Sequence, residues 1–227
     1  SFLDPLPVGR IWGVGKITGG VFERLGIQTI EQLRQRSVET LRTDFGTQGE
    51  HFWKLARGID DRTVVPDREA KSISHETTFA TDIADRDLTR AWLLDLTEQI
   101  MRRLRRKNEK ARTVHLKIRF ADFRTITRSR TLSSSTDVTV EVWQVAKALH
   151  DAALSGNHSS IRLIGVGVSN FSGDQPVQQP LFNADPERQE HAKQRKLDAV
   201  SDAVRDKFGS ASLSKGNTRL RSQTESR

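Results

Sequence analysis

The sequence predicts an α+β protein with a small all-helical domain, a second domain built on a four-stranded sheet, and a polar tail. Helix-like segments separated by single glycines fill residues 1–66. Strand and helix patterns then follow in the order β-α-β-β-α-β over residues 72–171. Residues 172–227 are mostly charged or small and polar, so we expect a largely disordered tail, above all from Gly209 onward. One charged segment within it, residues 186–208, predicts a helix.

The first two helices are marked by their end signals. Residues 19–25 predict a helix that ends at Gly26, because the position after a helix C-terminus favours the left-handed backbone that glycine adopts easily. Thr29 and Gln32 have the spacing of a capping box for a second helix over residues 30–36. Both helices are therefore expected to end or begin at turn residues.

Two more helices complete the all-helical domain. Ser37 can cap the third, and the fourth carries Phe52 and stops at Gly58. The segment that follows is polar and contains Pro66, which predicts a linker. We place this linker at residues 67–71.

Four segments predict the strands of the second domain. Residues 71–79 are rich in threonine and serine between two apolar side chains. Residues 113–120 alternate cleanly between apolar and basic or polar side chains. Residues 123–132 also alternate, with arginines on one parity and threonines or serine on the other. Residues 160–171 close the domain with a last strand.

Two helices lie between these strands. Asp87 can cap a helix over residues 88–106, whose apolar side chains recur at spacings of three and four. Either Thr136 or Asp137 opens the second helix. The order of elements is the split βαβ, ferredoxin-like arrangement, with both helices on one face of the sheet and the other face free.

Composition excludes several classes of protein. The 227 residues contain no cysteine, which excludes disulfides, thiolate metal sites and cysteine nucleophiles. No run of eighteen apolar residues predicts a membrane span. The start does not have the pattern of a signal peptide, because Asp4, Pro5 and Pro7 interrupt it. The first residue is Ser1, so either an initiator was removed or the chain is the C-terminal part of something longer.

Positive charge is concentrated in one segment. The whole chain carries a formal net charge of +8, whereas residues 102–130 alone contain twelve basic and two acidic side chains, a net charge of +10. Most of these basic residues are arginines, whose planar forks match phosphate oxygens. A polyanionic partner is therefore the natural hypothesis, with a solvated helix end as the alternative.

The glycines at positions 13 and 15 allow two interpretations. They form an ordinary tight turn, or they bare backbone amides for an anion ahead of a helix. Lys16 and Thr18 could add a charge and a hydroxyl, while Val14 would plug the core. Contacts of this kind to a DNA backbone would be independent of sequence.

Four segments, in order along the chain, resemble the Y-family, translesion DNA polymerases of bacterial DNA polymerase IV type. Residues 5–33 are similar to the thumb domain of that family, and residues 45–66, which include LARGIDDR, resemble its end. Residues 71–79 resemble the opening strand of the little-finger domain, and residues 120–132, FADFRTITRSRTL, its DNA-contacting hairpin.

The resemblance implies a division of roles. Residues 1–66 are the thumb, a helix-hairpin-helix domain that grips the minor groove of template–primer duplex through its hairpin amides. Residues 72–171 are the little finger, whose open sheet face lies in the major groove and contacts phosphates. The residues expected to contact DNA are Gly13, Val14, Gly15, Lys16, Thr18, Arg106, Lys107, Lys117, Arg119, Arg124, Thr125, Thr127, Arg128, Ser129 and Arg130.

The segment QQPLF, residues 178–182, resembles the pentapeptide by which such polymerases bind the sliding clamp. Gln178 would be its polar residue, and Leu181 and Phe182 its apolar anchors. Anchors of this type dominate the affinity of short peptides. The alternative is that both side chains pack back onto the little finger.

Nucleotidyl transfer needs carboxylates that hold two Mg²⁺ ions. In the family these lie in palm and finger domains upstream of the thumb. The acidic pairs Asp60/Asp61 and Asp85/Asp87 have ordinary interpretations as linker and helix-start residues. We therefore expect no enzyme activity and no cofactor in this chain alone, with a monovalent cation at the hairpin as an alternative. The parent family is that of DNA-directed DNA polymerases.

Two other interpretations stay open. The chain could be a free-standing accessory protein that regulates access to primer–template or clamp. It could also be an enzyme with an unrecognised site, although the missing carboxylate cluster argues against this. The expected partners are template–primer duplex, the sliding clamp and a polymerase core on another chain, in the cytoplasm and without a membrane.

Overall fold

The computed structural model of the chain describes residues 2–66, 69–156, 159–172 and 185–213. It consists of two compact units, residues 1–68 and 69–227. The helical first unit and the mixed second unit confirm the predicted α+β class. Two residues of the predicted linker, Asp67 and Arg68, and the end of the tail, residues 214–227, lie outside the described residues.

The first unit packs short helices around one aromatic cluster. It contains a 3₁₀ turn (Val8–Arg10), α1 (Lys16–Arg24), α2 (Ile30–Arg34), α3 (Val38–Phe45) and α4 (Thr47–Leu55). Phe22 and Phe52 are buried and lie 5.4 Å apart between ring centroids, and Phe45 lies 4.6 Å from Phe22. These rings join α1, α3 and α4 into one core.

Most end signals of the first unit act as predicted. The capping box of α2 is present, since Thr29 Oγ1 accepts from the Gln32 amide at 3.3 Å and the Gln32 side chain accepts from the Thr29 amide at 3.1 Å. Ser37 caps α3 through the Thr40 amide at 3.1 Å. Gly26 has φ +68°, as the end of α1 requires.

Two helix boundaries in this unit were predicted wrongly. The first helix begins at Lys16, not at residue 19. Gly15 is its N-cap, and residues 16–18 form its first turn although glycines flank them on both sides. The second helix ends at Arg34, two residues earlier than predicted. Helix ends commonly fray by one or two residues, so sequence signals locate them only approximately.

The described residues of the second unit form one sheet and three α-helices. In chain order they are β1 (Ser72–Ile83), α5 (Arg86–Arg106), β2 (Ala111–Phe120), β3 (Thr125–Thr136), α6 (Thr139–Ala153), β4 (Ile161–Phe171) and α7 (Asp185–Phe208). The strands lie in the order β1-β4-β2-β3 and every neighbouring pair is antiparallel. Thus β4 lies between β1 and β2, and β2 lies between β3 and β4. Both halves are split βαβ units, as the order of elements predicted.

Helices α5 and α6 pack on the same face of this sheet. The alternate residues of β2 from Val114 to Phe120 are buried against them, together with Ile164, Val166 and Val168 of β4. Leu93, Ile100 and their neighbours at helical spacing form the matching side of α5. The opposite face of the sheet carries the polar parity of each strand and is free of helices within the described residues.

Three boundaries in the second unit also differ from prediction. The cap of α5 is Asp85, which accepts from the amides of Asp87 and Leu88 at 2.8 and 3.2 Å, and Asp87 is the second helical residue. Helix α6 begins at Thr139, after Val138, rather than beside Thr136 or Asp137. Strand β3 continues to Thr136, because it pairs with Ala111 at the start of β2.

Helix α7 confirms the helix predicted for the charged segment and lies against α5 and α6. Arg105 near the end of α5 donates to both carboxylate oxygens of Asp202, at 2.7 and 3.1 Å. Arg205 of α7 donates to Glu98 of α5 at 2.5 Å, and both side chains are almost buried. No pattern in the sequence indicates which surface this helix covers.

Candidate nucleic-acid interface

The free face of the sheet gathers five of the predicted DNA-contact residues. On β2 it presents Lys117 and Arg119. On β3 it presents Thr125, Thr127 and Ser129, because Arg119 pairs with Thr125, Lys117 with Thr127 and His115 with Ser129. Residues directly paired across two strands point to the same face. The result is a row of cations beside a row of exposed hydroxyls.

The neighbouring strand β4 supplies no side chains at the middle of this face. Gly165 pairs with both Glu76 and Lys117, and Gly167 pairs with both Ser74 and His115. A Cβ atom added to Gly165 would lie only 2.7 Å from the Cβ of Glu76. The glycines therefore form the floor of a shallow trough of about 290 Å³ between β1 and β2.

Polar contacts cross this trough and fix its side chains. Lys117 Nζ donates to Glu76 Oε2 at 2.8 Å, with both side chains more than a third exposed. His115 Nε2 and Ser169 Oγ lie 2.7 Å apart. Arg119 Nε donates to Thr125 Oγ1 at 2.9 Å, which links the cation row to the hydroxyl row.

The remaining arginines of the hairpin lie on the other face of β3. Arg128 pairs with Leu116 and Arg130 with Val114, so their side chains share the parity of the buried face, although at this edge strand they remain exposed. Arg124 stacks on the Phe120 ring at 4.6 Å. The sheet therefore divides the predicted hairpin contacts between two faces.

Arg106 and Lys107, predicted as DNA contacts, lie at the C-terminal end of α5. Arg106 is ion-paired with Asp206 of α7. Lys107 is the exposed C-cap residue of α5. These two residues are not on the free sheet face, because α5 packs against the opposite side.

The glycine hairpin of the first unit precedes α1. Gly13 has φ +91°, a backbone that other residues adopt only with strain, and Gly15 is the N-cap. No side chain caps this end of α1, so its first amides are not taken by a capping group. Val14 is half-buried against the aromatic core, and Lys16 is exposed. This is the geometry expected for an amide site on a phosphate.

An aromatic platform lies next to the hairpin in the same unit. Trp12 is 69% exposed, and the guanidinium of Arg62 stacks on its ring at 4.2 Å. Asp60 fixes this arginine through two hydrogen bonds of 2.6 and 2.7 Å, which lower the pKa of Asp60 to about 2. Asp60 is therefore a partner of Arg62 rather than an isolated linker carboxylate.

Sequence reasoning missed Glu76, His115, Gly165 and Gly167. The alternation of β2 placed His115 on the polar face, and the pattern G-V-G inside an apolar strand is a recognised sign of close approach by another backbone or a ligand. No sequence signal could pair Glu76 with Lys117, because the two strands are joined only through β4.

The described part of the chain has neither a membrane-spanning helix nor a grouped set of metal ligands. None of its helices is long and apolar enough to cross a membrane. Among the residues described, no three histidines, aspartates or glutamates are grouped so that they could hold a metal ion.

Two family models match the chain and together cover more than two thirds of it. One, described as "impB/mucB/samB family C-terminal domain", matches residues 70–181. The other, described as "DNA polymerase-iota, thumb domain", matches residues 9–60.

Curated relatives are named DNA polymerase IV. The protein of Desulfatibacillum aliphaticivorans is 39% identical over 213 residues, which are 94% of this chain and 53% of that protein. That of Xanthomonas euvesicatoria is 41% identical over 188 residues, 82% of this chain and 52% of the relative. The chain thus spans about half the length of the curated relatives it matches.

A solved structure shares the fold. The chain of a Y-family DNA polymerase chimera, Dbh-Dpo4(243-245)-Dbh, matches with a TM-score of 0.60 and 19% identity, over 76% of this chain and 49% of the other. Fold, families and relatives agree on the class, a translesion polymerase thumb followed by its C-terminal, little-finger domain. The chain belongs to the Y-family DNA polymerases, and its relatives are of the bacterial DNA polymerase IV type.

Proposed function

We propose that this chain binds template–primer duplex DNA without sequence preference, as the thumb and little finger of a translesion DNA polymerase. The observation that carries the proposal is the free sheet face, where Lys117 and Arg119 lie beside the exposed hydroxyls of Thr125, Thr127 and Ser129. Cations and hydroxyls are the side chains that contact phosphate, and such contacts carry no sequence information.

The glycine hairpin supports a second contact to the backbone. Its first helical amides have no capping side chain and Lys16 is exposed, which supports a contact between this hairpin and a phosphate. Titrations in sodium and in potassium salts test whether a monovalent cation at the hairpin takes part. A cytoplasmic location follows from the proposal, because bacterial DNA and its clamp lie there.

Salt titration of DNA affinity tests the binding proposal. With several phosphates contacted, the logarithm of the affinity for a short duplex should fall steeply and linearly with the logarithm of salt concentration. Lys117→Ala/Arg119→Ala should weaken binding about equally for unrelated sequences and reduce the slope by about two. A flat salt dependence, or binding that ignores these substitutions, contradicts the proposal.

The second part of the proposal concerns the clamp and catalysis. Residues 178–182 lie outside the described residues, so the clamp motif rests on its sequence alone. Leu181→Ala/Phe182→Ala should abolish binding to the sliding clamp and leave DNA affinity unchanged. In a primer-extension assay with Mg²⁺, the purified chain should add no nucleotides. Incorporation by the chain would refute the non-catalytic role.

A further inference from the structure

At the corner where α5 ends and α6 begins, arginines of α5 bind carboxylates of helix α7. Asp198, Asp202 and Asp206 of α7 are spaced four residues apart and face this corner. Asp202 and Asp198 contact Arg105, and Asp206 contacts both Arg102 and Arg106. The two arginines lower the pKa of Asp206 through their hydrogen bonds.

Arg105 is held in position by groups other than α7. Its Nη1 donates to the Asp137 carbonyl at 3.0 Å and to Thr139 Oγ1 at 2.9 Å. Its other edge, Nε and Nη2, points to the two oxygens of Asp202. Because a guanidinium fork binds carboxylate and phosphate in the same two-point manner, this edge is preorganised for either anion.

The first amide of α6 is the second preorganised donor. The cap residue Val138 offers no side-chain hydrogen bond, and the amide of Thr139 instead donates to Asp198 Oδ2 at 2.7 Å. A side chain from a helix about sixty residues away therefore supplies the anion that this helix N-terminus favours. The corner thus combines the guanidinium groups of three arginines with the first backbone amide of α6.

The attachment of α7 is polar rather than apolar. Of its large apolar side chains, Leu197, Val200 and Phe208 are 54%, 62% and 67% exposed, whereas Val204 is half-buried. Its contacts with the domain are mainly ion pairs. Those of Asp206 are half exposed on the carboxylate side and should weaken with salt, whereas the pairs Arg105–Asp202 and Arg205–Glu98 are largely buried. A polyanion that replaces these carboxylates at the arginines would therefore compete with the helix mainly for polar contacts.

We propose that this corner is a second binding site for the phosphate backbone of nucleic acid, and that α7 occupies it as a competitor within the chain. The three carboxylates of α7 span about 12 Å along the helix axis, a length over which a DNA strand offers about four phosphates at one every 3.4 Å or so. A strand can replace all three carboxylates together, which a single phosphate cannot. The corner lies on the side of the sheet that α5 and α6 cover, so this site is separate from the free sheet face. The inference otherwise rests on the proposed function.

The test removes the competitor and keeps the arginines. Asp202→Asn/Asp206→Asn should bind a short fluorescein-labelled duplex about tenfold more tightly at low salt, with a salt slope steeper by about two to three. Arg102→Ala/Arg106→Ala in the same background should remove most of the gain, since only Arg105 of the three arginines then remains. The control Glu39→Gln/Asp44→Asn makes the same change in net charge at exposed residues of α3 and should show little gain.

No gain, an equal gain in the control, or a gain that is undiminished by loss of Arg102 and Arg106 overturns the proposal. Thermal unfolding verifies that each variant is folded. Failure of the sheet-face proposal has a different signature, since wild-type binding would then ignore Lys117→Ala/Arg119→Ala while the gain on removing the competitor remained.

A distance measurement on a chain that keeps the carboxylates of α7 and the arginines of α5 tests displacement directly. Because the chain has no cysteine, spin labels can be placed at Ala203→Cys on α7 and Lys147→Cys on α6, both exposed. We expect one narrow distance distribution without DNA and a broad, longer one at saturating duplex. A distribution that does not change on saturation overturns the proposal.

Discussion

At the scale of single residues, the most informative contact is the ion pair between Lys117 and Glu76. A carboxylate stands in the middle of a face proposed to bind phosphate, and it holds one of the two cations of that face at 2.8 Å. Gly165 makes the contact possible, because any side chain there would separate the two. Glu76 therefore opposes the approach of DNA while it orders Lys117.

Replacement of this carboxylate should strengthen DNA binding. Glu76→Gln removes the repulsion and frees Lys117, so we expect an affinity for duplex DNA about three- to tenfold higher at low salt. Fluorescence anisotropy measures it. Glu190→Gln on α7 makes an equal change in net charge away from the sheet and should have little effect. Weaker binding by Glu76→Gln would mean that ordering of Lys117 outweighs repulsion.

His150 is a buried titratable residue of α6. Its ring lies between Thr89 Oγ1 and Asp151 Oδ1, each at 3.0 Å. Burial lowers the pKa of His150, and the hydrogen bond to Asp151 offsets this only in part. The folded unit thus keeps a neutral imidazole at a pH where an exposed histidine is already protonated.

The stability of the second unit should therefore fall in mild acid. As the pH drops below about 6.5, the unfolded chain binds a proton that the folded unit resists, so the free energy of unfolding decreases until the lowered pKa is reached. Urea unfolding at pH 7.5 and 5.5 measures this. His150→Gln should be less stable at pH 7.5 and show a smaller decrease. An unchanged decrease would assign it to other groups.

At the scale of elements, helices α3 and α4 cross at one glycine. A Cβ atom on Gly49 would lie 2.0 Å from the carbonyl oxygen of Leu41, a backbone atom that cannot rotate away. Gly20 lies within α1 with nothing within 4 Å of its added Cβ. An alanine side chain therefore clashes at Gly49 and has free space at Gly20.

Alanine should destabilise the first unit at one position and stabilise it at the other. Gly49→Ala must push two helices apart, at a cost of about 3 kcal/mol or more. Gly20→Ala should raise the free energy of unfolding by roughly 0.5–1 kcal/mol, because alanine favours helix interiors. Denaturant unfolding followed by tryptophan fluorescence measures both changes. Equal effects of the two substitutions would contradict the predicted close contact.

At the scale of the whole molecule, the two units have separate cores. The aromatic core of the first unit and the sheet–helix core of the second share no residue. Between them, residues 60–66 are exposed. The matched family domains also fall on either side of this segment.

Limited proteolysis should separate the two units. Apart from trimming of the polar tail, trypsin at low concentration should cleave first between Arg62 and Lys71 and leave two fragments that resist further digestion, because exposed connecting segments are cleaved before packed cores. Mass spectrometry identifies the site. Each fragment should retain its own unfolding transition. Early cleavage within α4 or β1 would contradict two independent cores.

Capping residues and the spacing of apolar residues predicted the helices and strands well where the interactions that form them are local in sequence. Thr29, Gln32 and Ser37 act on amides three residues away, so the sequence alone predicted their contacts. The start of α6 was predicted wrongly, because the carboxylate that accepts from its first amide belongs to Asp198 of α7. A boundary that depends on a distant residue leaves no local signal.

The sequence by itself determined the class, the two-part organisation, the order of elements and the polar parity of the hairpin strands. These depend on side-chain alternation, turn residues and recognisable segments, which act over a few residues. Only the tertiary structure decided which basic residues remain free. Sheet pairing put Lys117 and Arg119 on one face and Arg128 and Arg130 on the other, and α7 neutralised the arginines that end α5. Charge partners are chosen by distance in space, and chain order does not contain that distance.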